Sequence, residues 1–182
     1  MNRTFAAMVV FFTLATGCAQ DVRNPKRALP SYVGHMADLF DDAIEPGAVG
    51  LTGDKGVYQA KYDPTFRERV RTADAVLRVR VVTITAKDES GGTSFTVGLQ
   101  SVAKLAGAFP PGERFSLVVP RDGLSAGILK NLDKRIVGMR FVAMVHTFVR
   151  PDGDTEMHFH LAPDTEEVAQ TAANASLYAA EK

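Results

Sequence analysis

This 182-residue chain has a single cysteine, no tryptophan and no excess of either charge. One cysteine excludes an intramolecular disulfide, so the core alone must hold the fold. The balance of 21 basic and 21 acidic residues argues against a nucleic-acid surface or a polybasic membrane patch, because both show as a basic excess. The lack of tryptophan disfavours a carbohydrate-stacking cleft. No apolar run approaches about twenty residues, so no transmembrane helix is predicted.

The first residues have the anatomy of a secretory signal peptide. Arg3 precedes an apolar run from Phe5 to Leu14, and three small residues then lead to Cys18. At about 1.5 Å per residue the run spans only about 15 Å, half of a hydrocarbon core of about 30 Å. A signal peptide over residues 1–17 is therefore predicted, not a membrane span.

The stretch Leu14-Ala-Thr-Gly-Cys18 resembles the lipobox of bacterial lipoproteins, with Ala15 where leucine is commonest. The resemblance implies cleavage before Cys18 and a covalent lipid on its sulfur, which anchors the protein to a membrane. Because the residue after the cysteine is Ala19 and not aspartate, the resemblance also implies sorting to the outer membrane, on its periplasmic face. The alternative is an ordinary signal peptide with an incidental cysteine, but an unpaired thiol in an exported chain favours acylation.

Three segments follow the signal peptide. Residues 18–30 are polar and predict the lipidated cysteine with a flexible tether. Residues 31–72 predict a helical and glycine-rich segment that packs on the domain. Residues 73–182 predict a β domain that ends in a helix.

Two helices are predicted within residues 31–72. From Ser31 to Glu45 apolar residues recur at helical spacing, so we expect an amphipathic helix that covers the domain or docks on a partner. We assign four acids to its solvent face: Asp38, Asp41, Asp42 and Glu45. Asp63-Pro64 opens a second helix to about Thr72, with a predicted solvent face of Arg67, Glu68, Arg69 and Arg71.

From Ala73 the apolar period becomes two, which is typical of half-buried strands. Five strands are predicted, with a short helix between the third and fourth; the strands cover 77–84, 93–102, 115–119, 136–149 and 156–161. This order resembles OB-type β-barrels. The likeness covers residues 73–162 and includes Ala73-Asp-Ala-Val76 and Gly138-Met-Arg-Phe141.

The resemblance implies a mainly β, α+β fold. Its centre is a five-stranded antiparallel OB-like barrel, flanked by the N-terminal amphipathic helix and a C-terminal helix. The rival architecture is an open antiparallel sheet with helices on one face.

His158 and His160 are the candidate metal ligands. Alternate positions on a strand place them about 6.6–7 Å apart, a spacing that allows both to ligate one zinc or copper ion. If Arg150 pairs with Thr155 across the preceding turn, His146 points to the opposite face, and a one-residue change of register would bring it to the pair. The alternative is that both histidines lie on the solvent face of an amphipathic hairpin.

No catalytic constellation stands out. The acids lie in turns and at helix ends or faces, a Gly-x-Ser-x-Gly elbow is missing, and the one cysteine is assigned to lipid. Arg78 and Arg80 share a strand face without interleaved aromatic residues for stacking bases, so this stripe is interpreted as a solvated surface.

We therefore expect a non-enzymatic lipoprotein that binds other envelope proteins or serves as an accessory subunit of an envelope assembly, without nucleic acid. The competing hypothesis is a small-ligand or metal-binding periplasmic lipoprotein that uses His158 and His160.

Overall fold

The computed structural model describes residues 28–51 and 58–177. Cys18, the signal peptide and the tether up to residue 27 lie outside this part of the chain. Six strands and four helices are formed within it. The strands are β1 (Ala43–Ile44), β2 (Ala75–Glu89), β3 (Gly92–Ala106), β4 (Arg114–Val119), β5 (Arg140–Val149) and β6 (Thr155–Pro163). The helices are α1 (His35–Leu39), α2 (Pro64–Thr72), α3 (Ala126–Ile136) and α4 (Glu166–Leu177).

The strands form one sheet in the order β1-β6-β5-β2-β3-β4. β1 runs parallel to β6, and the other neighbours are antiparallel. The fold is α+β, as predicted, but the sheet is six-stranded and open, so the closed five-stranded barrel is not confirmed. β1 occupies the outer edge of β6, and β4 would have to pair with this edge to close a barrel. The Ile44 amide on β1 also donates a hydrogen bond to the hydroxyl of Ser125, just before α3.

A core lies on each face of the sheet, and residues of β2, β3, β5 and β6 contribute to both because they alternate between the two sides. On the inner face, Leu77, Val79 and Val81 of β2 pack with residues of α3 such as Leu129. On the outer face, helices α1, α2 and α4 cover part of the sheet. The outer core includes Phe40, Phe66, Val142, Phe148 and Val168.

The N-terminal helix is much shorter than predicted. α1 has only five residues and ends at Leu39, after which Asp42 adopts a left-handed φ of 52° and the chain enters β1. The prediction of one helix from Ser31 to Glu45 is therefore wrong. The apolar residues in its C-terminal half are nevertheless buried: Leu39, Phe40 and Ile44 are at most 2% exposed, whereas Val33 is 68% exposed.

The other element predictions differ mainly at their ends. α2 begins at Pro64, and the side chain of Asp63 caps it by accepting from the Thr65 amide at 2.8 Å. The predicted fourth strand starts four residues late, at Arg140, because α3 continues through Ile136.

Candidate functional site

A buried cluster of histidines and carboxylates lies where the segment before β1 crosses β5 and β6 on the outer face. The register of β5 and β6 builds it, because Val149 pairs with Thr155 and His146 pairs with His158. The pairing assumed from the sequence was one residue off, and this one-residue change places His146 on the same face as His158 and His160.

The interpretation that His158 and His160 face solvent is wrong. The side chain of His158 is 14% exposed and that of His160 is 4% exposed. Both are covered by the chain between α1 and β1, whose two adjacent acids reach across to them.

His158 lies between two carboxylates. Its Nδ1 is 2.7 Å from Oδ2 of Asp42, and its Nε2 is 3.2 Å from Oε1 of Glu156. The ring of Tyr32 stacks on the imidazole with centroids 3.4 Å apart and planes 4° apart. Because a carboxylate faces each ring nitrogen, this environment favours the imidazolium form with both nitrogens protonated.

His160 has a different environment two residues further along β6. Its Nδ1 is 2.8 Å from Oδ1 of Asp41, whereas its Nε2 is 3.4 Å from Nη1 of Arg69. Oε2 of Glu45 lies 3.9 Å from the same Nε2. His160 therefore lies among two carboxylates and one guanidinium.

Arg69 connects α2 to this cluster. Its Nη2 is 3.2 Å from Oδ2 of Asp41, and its Nε donates to the Leu39 carbonyl at the end of α1. Only 8% of Arg69 is exposed, so its assignment to the solvent face of α2 is wrong. A buried guanidinium needs such partners because an uncompensated buried charge is strongly destabilising.

The third histidine pairs with an acid from the start of β2. Nδ1 of His146 is 3.0 Å from Oδ1 of Asp74, and Oδ2 of that carboxylate accepts from the Thr147 amide at 2.8 Å. Phe40 stacks on the His146 ring at 5.2 Å between centroids. Asp74, part of the Ala-Asp-Ala-Val stretch, therefore has a structural role in joining β2 to β5.

The pKa shifts follow from these contacts. Burial disfavours charge on His158, but the hydrogen bonds and charges of Asp42 and Glu156 outweigh it and raise the pKa of His158 above its usual value. Burial likewise opposes ionisation of Asp41, yet His160, Arg69 and the Ala43 amide hold the pKa of Asp41 below its usual value.

Asp42 is the strained member of the cluster. Burial raises the pKa of its carboxyl, although His158 and the Phe159 amide both donate to it. It is also the one residue other than glycine with positive φ in the described ranges, a conformation that costs about 1–3 kcal/mol. Its backbone amide donates to the Phe159 carbonyl at 2.9 Å, so backbone and side chain together hold Asp42 on β6.

Together these contacts hold the N-terminal segment on the sheet through charge-assisted hydrogen bonds. Within residues 28–51 and 58–177, no group of three or more histidine, cysteine or acidic side chains is arranged to hold a metal ion. Zinc or copper binding by His158 and His160 stays a prediction.

Sequence reasoning missed Asp41, Asp42 and Arg69 because it placed all three on solvent faces. One signal was available for Arg69: it lies three residues after Phe66, and such spacing puts two residues on one face of a helix. For the two aspartates the sequence carried no comparable signal, since their burial depends on where the segment docks.

No helix within the described residues is both long and apolar enough to cross a membrane. Comparison with protein-family models, with curated proteins and with solved structures finds no match to this chain.

Proposed function

We propose that this protein is a lipid-anchored protein of the outer membrane, on the periplasmic face, and that it serves as a non-enzymatic, protein-binding or accessory subunit of an envelope assembly. Cys18 carries the proposal. It is the only cysteine in the chain, and it directly follows an apolar run and three small residues, the setting of a lipidated cysteine.

The attachment of the N-terminal segment supports an anchored domain. The Val149 amide donates to the Pro30 carbonyl at 2.9 Å, so the chain is tied to β5 twelve residues after Cys18. Twelve residues reach at most about 40 Å. An anchor on Cys18 would therefore hold the sheet close to the membrane while leaving its orientation free.

The strand order supports a binding role. β4-β3-β2-β5-β6 is the order of an OB-type barrel, and we interpret β2 to β6 as an OB-like module whose closing edge is occupied by β1. OB-type barrels bind oligonucleotides and oligosaccharides on the face of their second and third strands, so a sheet of this order offers a binding face.

The four histidines all have partners within the fold. Each has a carboxylate within 3.0 Å: His35 with Glu68, His146 with Asp74, His158 with Asp42 and His160 with Asp41. All four pairs join separate segments of the fold, which is a structural use of the imidazole.

Labelled palmitate tests the anchor. We expect the wild-type protein to carry label in the outer-membrane fraction, and Cys18→Ser to carry none and to leave that fraction. Label that persists on Cys18→Ser, or wild-type protein in the inner membrane or the soluble periplasm, would contradict the placement. Cross-linking in intact envelopes tests the subunit role, and the absence of any specific protein partner would refute it.

Calorimetric titration with zinc and copper tests the metal-binding alternative. The matched control is His158→Ala with His160→Ala. If wild-type affinity is no better than that of this double variant, the two histidines do not form a metal site.

A further inference from the structure

A row of arginines crosses the part of the outer face that the helices leave open. Arg140 of β5 pairs with Arg80 of β2, Arg80 pairs with Gln100 of β3, and Gln100 pairs with Arg114 of β4. Directly paired residues project from the same face of a sheet. With strands about 4.8 Å apart, the four side chains span about 14 Å.

These cations have few internal partners. Arg80 and Arg114 are exposed and have no carboxylate partner among the described residues. Arg140 is 3.8 Å from Asp164, an acid already paired with Arg78 at 2.9 Å. The row is therefore a local cluster of positive charge in a chain whose formal net charge is zero.

The row is unfavourable for the isolated fold. Arg80 and Arg140 are directly paired like charges, and such cross-strand pairs are destabilising. An external anion that lies over the row would remove this repulsion.

A depression next to the row supplies shape and hydrogen-bonding groups. It has a volume of about 240 Å³, and its lining includes Val82, Thr83, Gly98, Arg114 and Ser116. Gly98 lies beneath the side chain of Thr83, because a Cβ on residue 98 would lie 2.3 Å from the Thr83 hydroxyl oxygen. Beside Ser116 on β4, Val118 is 57% exposed.

The row lies at the end of the sheet away from the tether. Arg140 begins β5, whereas the N-terminal segment joins β5 at Val149, and nine residue steps along a strand measure about 30 Å. Because the N-terminal segment joins the sheet about 30 Å from the row, this attachment leaves the row accessible to a protein partner.

We infer that the outer face around Arg80, Gln100 and Arg114 is a docking surface for an acidic segment of a protein partner. Carboxylates of the partner pair with the guanidinium groups, and a small or apolar side chain enters the depression between Thr83 and Ser116. This inference rests on the proposed function, since it names the chemistry of the partner that an accessory subunit binds.

The test uses the chain from residue 18 onward with Cys18→Ser and an oligoglutamate peptide, with oligoglutamine as the neutral control. The test variant is Arg80→Gln with Arg114→Gln. The matched control, Arg67→Gln with Arg71→Gln, removes two exposed arginines of α2 and causes the same change in net charge. Circular dichroism establishes that both variants are folded.

We expect the test variant to bind oligoglutamate about tenfold more weakly than the parent, and the control variant to bind as the parent does. Oligoglutamate should shift the amide resonances of Gly98, Gln100 and Ser116. Equal weakening in both variants, or no binding by the parent at low ionic strength, would overturn the inference. Stronger binding to phosphatidylglycerol vesicles than to the peptide, lost in the test variant, would overturn it in favour of a membrane.

Cross-linking in envelopes separates this inference from the proposed function. A partner recovered with the parent and the control variant but lost with the test variant supports both. A partner recovered equally with the test variant overturns the arginine surface and leaves the subunit role intact. No partner with the parent refutes the subunit role, and the peptide measurement then decides the arginine surface by itself.

Discussion

The charge on Asp42 can be removed with little change of shape. Asn tolerates the left-handed φ of 52° at this position, and its amide oxygen still accepts from the Phe159 backbone. What Asp42→Asn removes is the negative charge 2.7 Å from Nδ1 of His158. The variant therefore removes the charge together with the charge-assisted hydrogen bond to His158, and keeps the backbone contact to β6.

The expected loss depends on pH because the carboxylates raise the pKa of His158. A histidine with a raised pKa contributes stability that is fully present below its unfolded value of about 6.5 and lost as the pH rises through the folded value. One proton changes the unfolding free energy by at most about 1.4 kcal/mol per pH unit. His35, whose pKa is raised by Glu68, is unchanged in the variant and cancels in the comparison.

Hydrogen bonds to charged groups contribute about 1.5–3 kcal/mol. The burial cost of Asp42, which raises the pKa of its carboxyl, offsets part of this. We therefore expect Asp42→Asn to lower the unfolding free energy by about 1–2 kcal/mol at about pH 6, and by progressively less as the pH rises through the folded-state pKa of His158 toward about pH 9.

Urea unfolding followed by circular dichroism is the assay, since the chain has no tryptophan. Asp122→Asn, at an exposed position, is the control and should leave stability unchanged at both pH values. If Asp42→Asn costs the same at both, the loss comes from shape and not from charge. If wild-type stability rises between about pH 6.5 and 9, the assignment of His158 as a cation is refuted.

Three further substitutions test the packing. Leu39→Asp with Phe40→Asp should lower the melting temperature by about 10 °C, because it puts two charges into the outer core. An unchanged melting temperature with loss of function in cells would indicate that this segment contacts a partner instead. Ser125→Ala leaves a buried β1 amide unpaired, and we expect a loss of about 1–3 kcal/mol in urea unfolding; Ser125→Gly, which removes the same acceptor, should lose at least as much. Gly107→Ala places a Cβ 2.3 Å from the Asp74 carbonyl oxygen at a φ of 86°, so the variant should be the least stable single substitution; wild-type melting would contradict this.

Local sequence patterns were sufficient for most of the secondary structure. Alternation of apolar and polar residues predicted β2, and the Asp63-Pro64 pair predicted the start of α2, because both signals act within a few residues. The apolar residues of the N-terminal segment also indicated burial. Its helix was overestimated because apolar spacing does not reveal that Asp42 turns the chain toward a sheet edge.

The cluster around β6 depended on contacts between distant segments. His158 and His160 are visible in the sequence as an alternating pair, but whether they faced solvent rested on the register of β5 and β6, where one residue reverses every side chain. Their aspartate partners, Asp42 and Asp41, lie more than a hundred residues earlier in the chain. No local pattern links positions so far apart.

The sequence by itself determined the element types, the α+β class and the setting of Cys18, since these follow from short-range periodicity and from a motif. The tertiary structure decided that the sheet stays open, that Asp41 and Asp42 contact the histidines, and that Arg80, Arg140 and Arg114 stand in one row. Each of these depends on which strand edges meet and in which register. Strand pairing depends on contacts between distant segments throughout the core, and the same local pattern is compatible with more than one pairing.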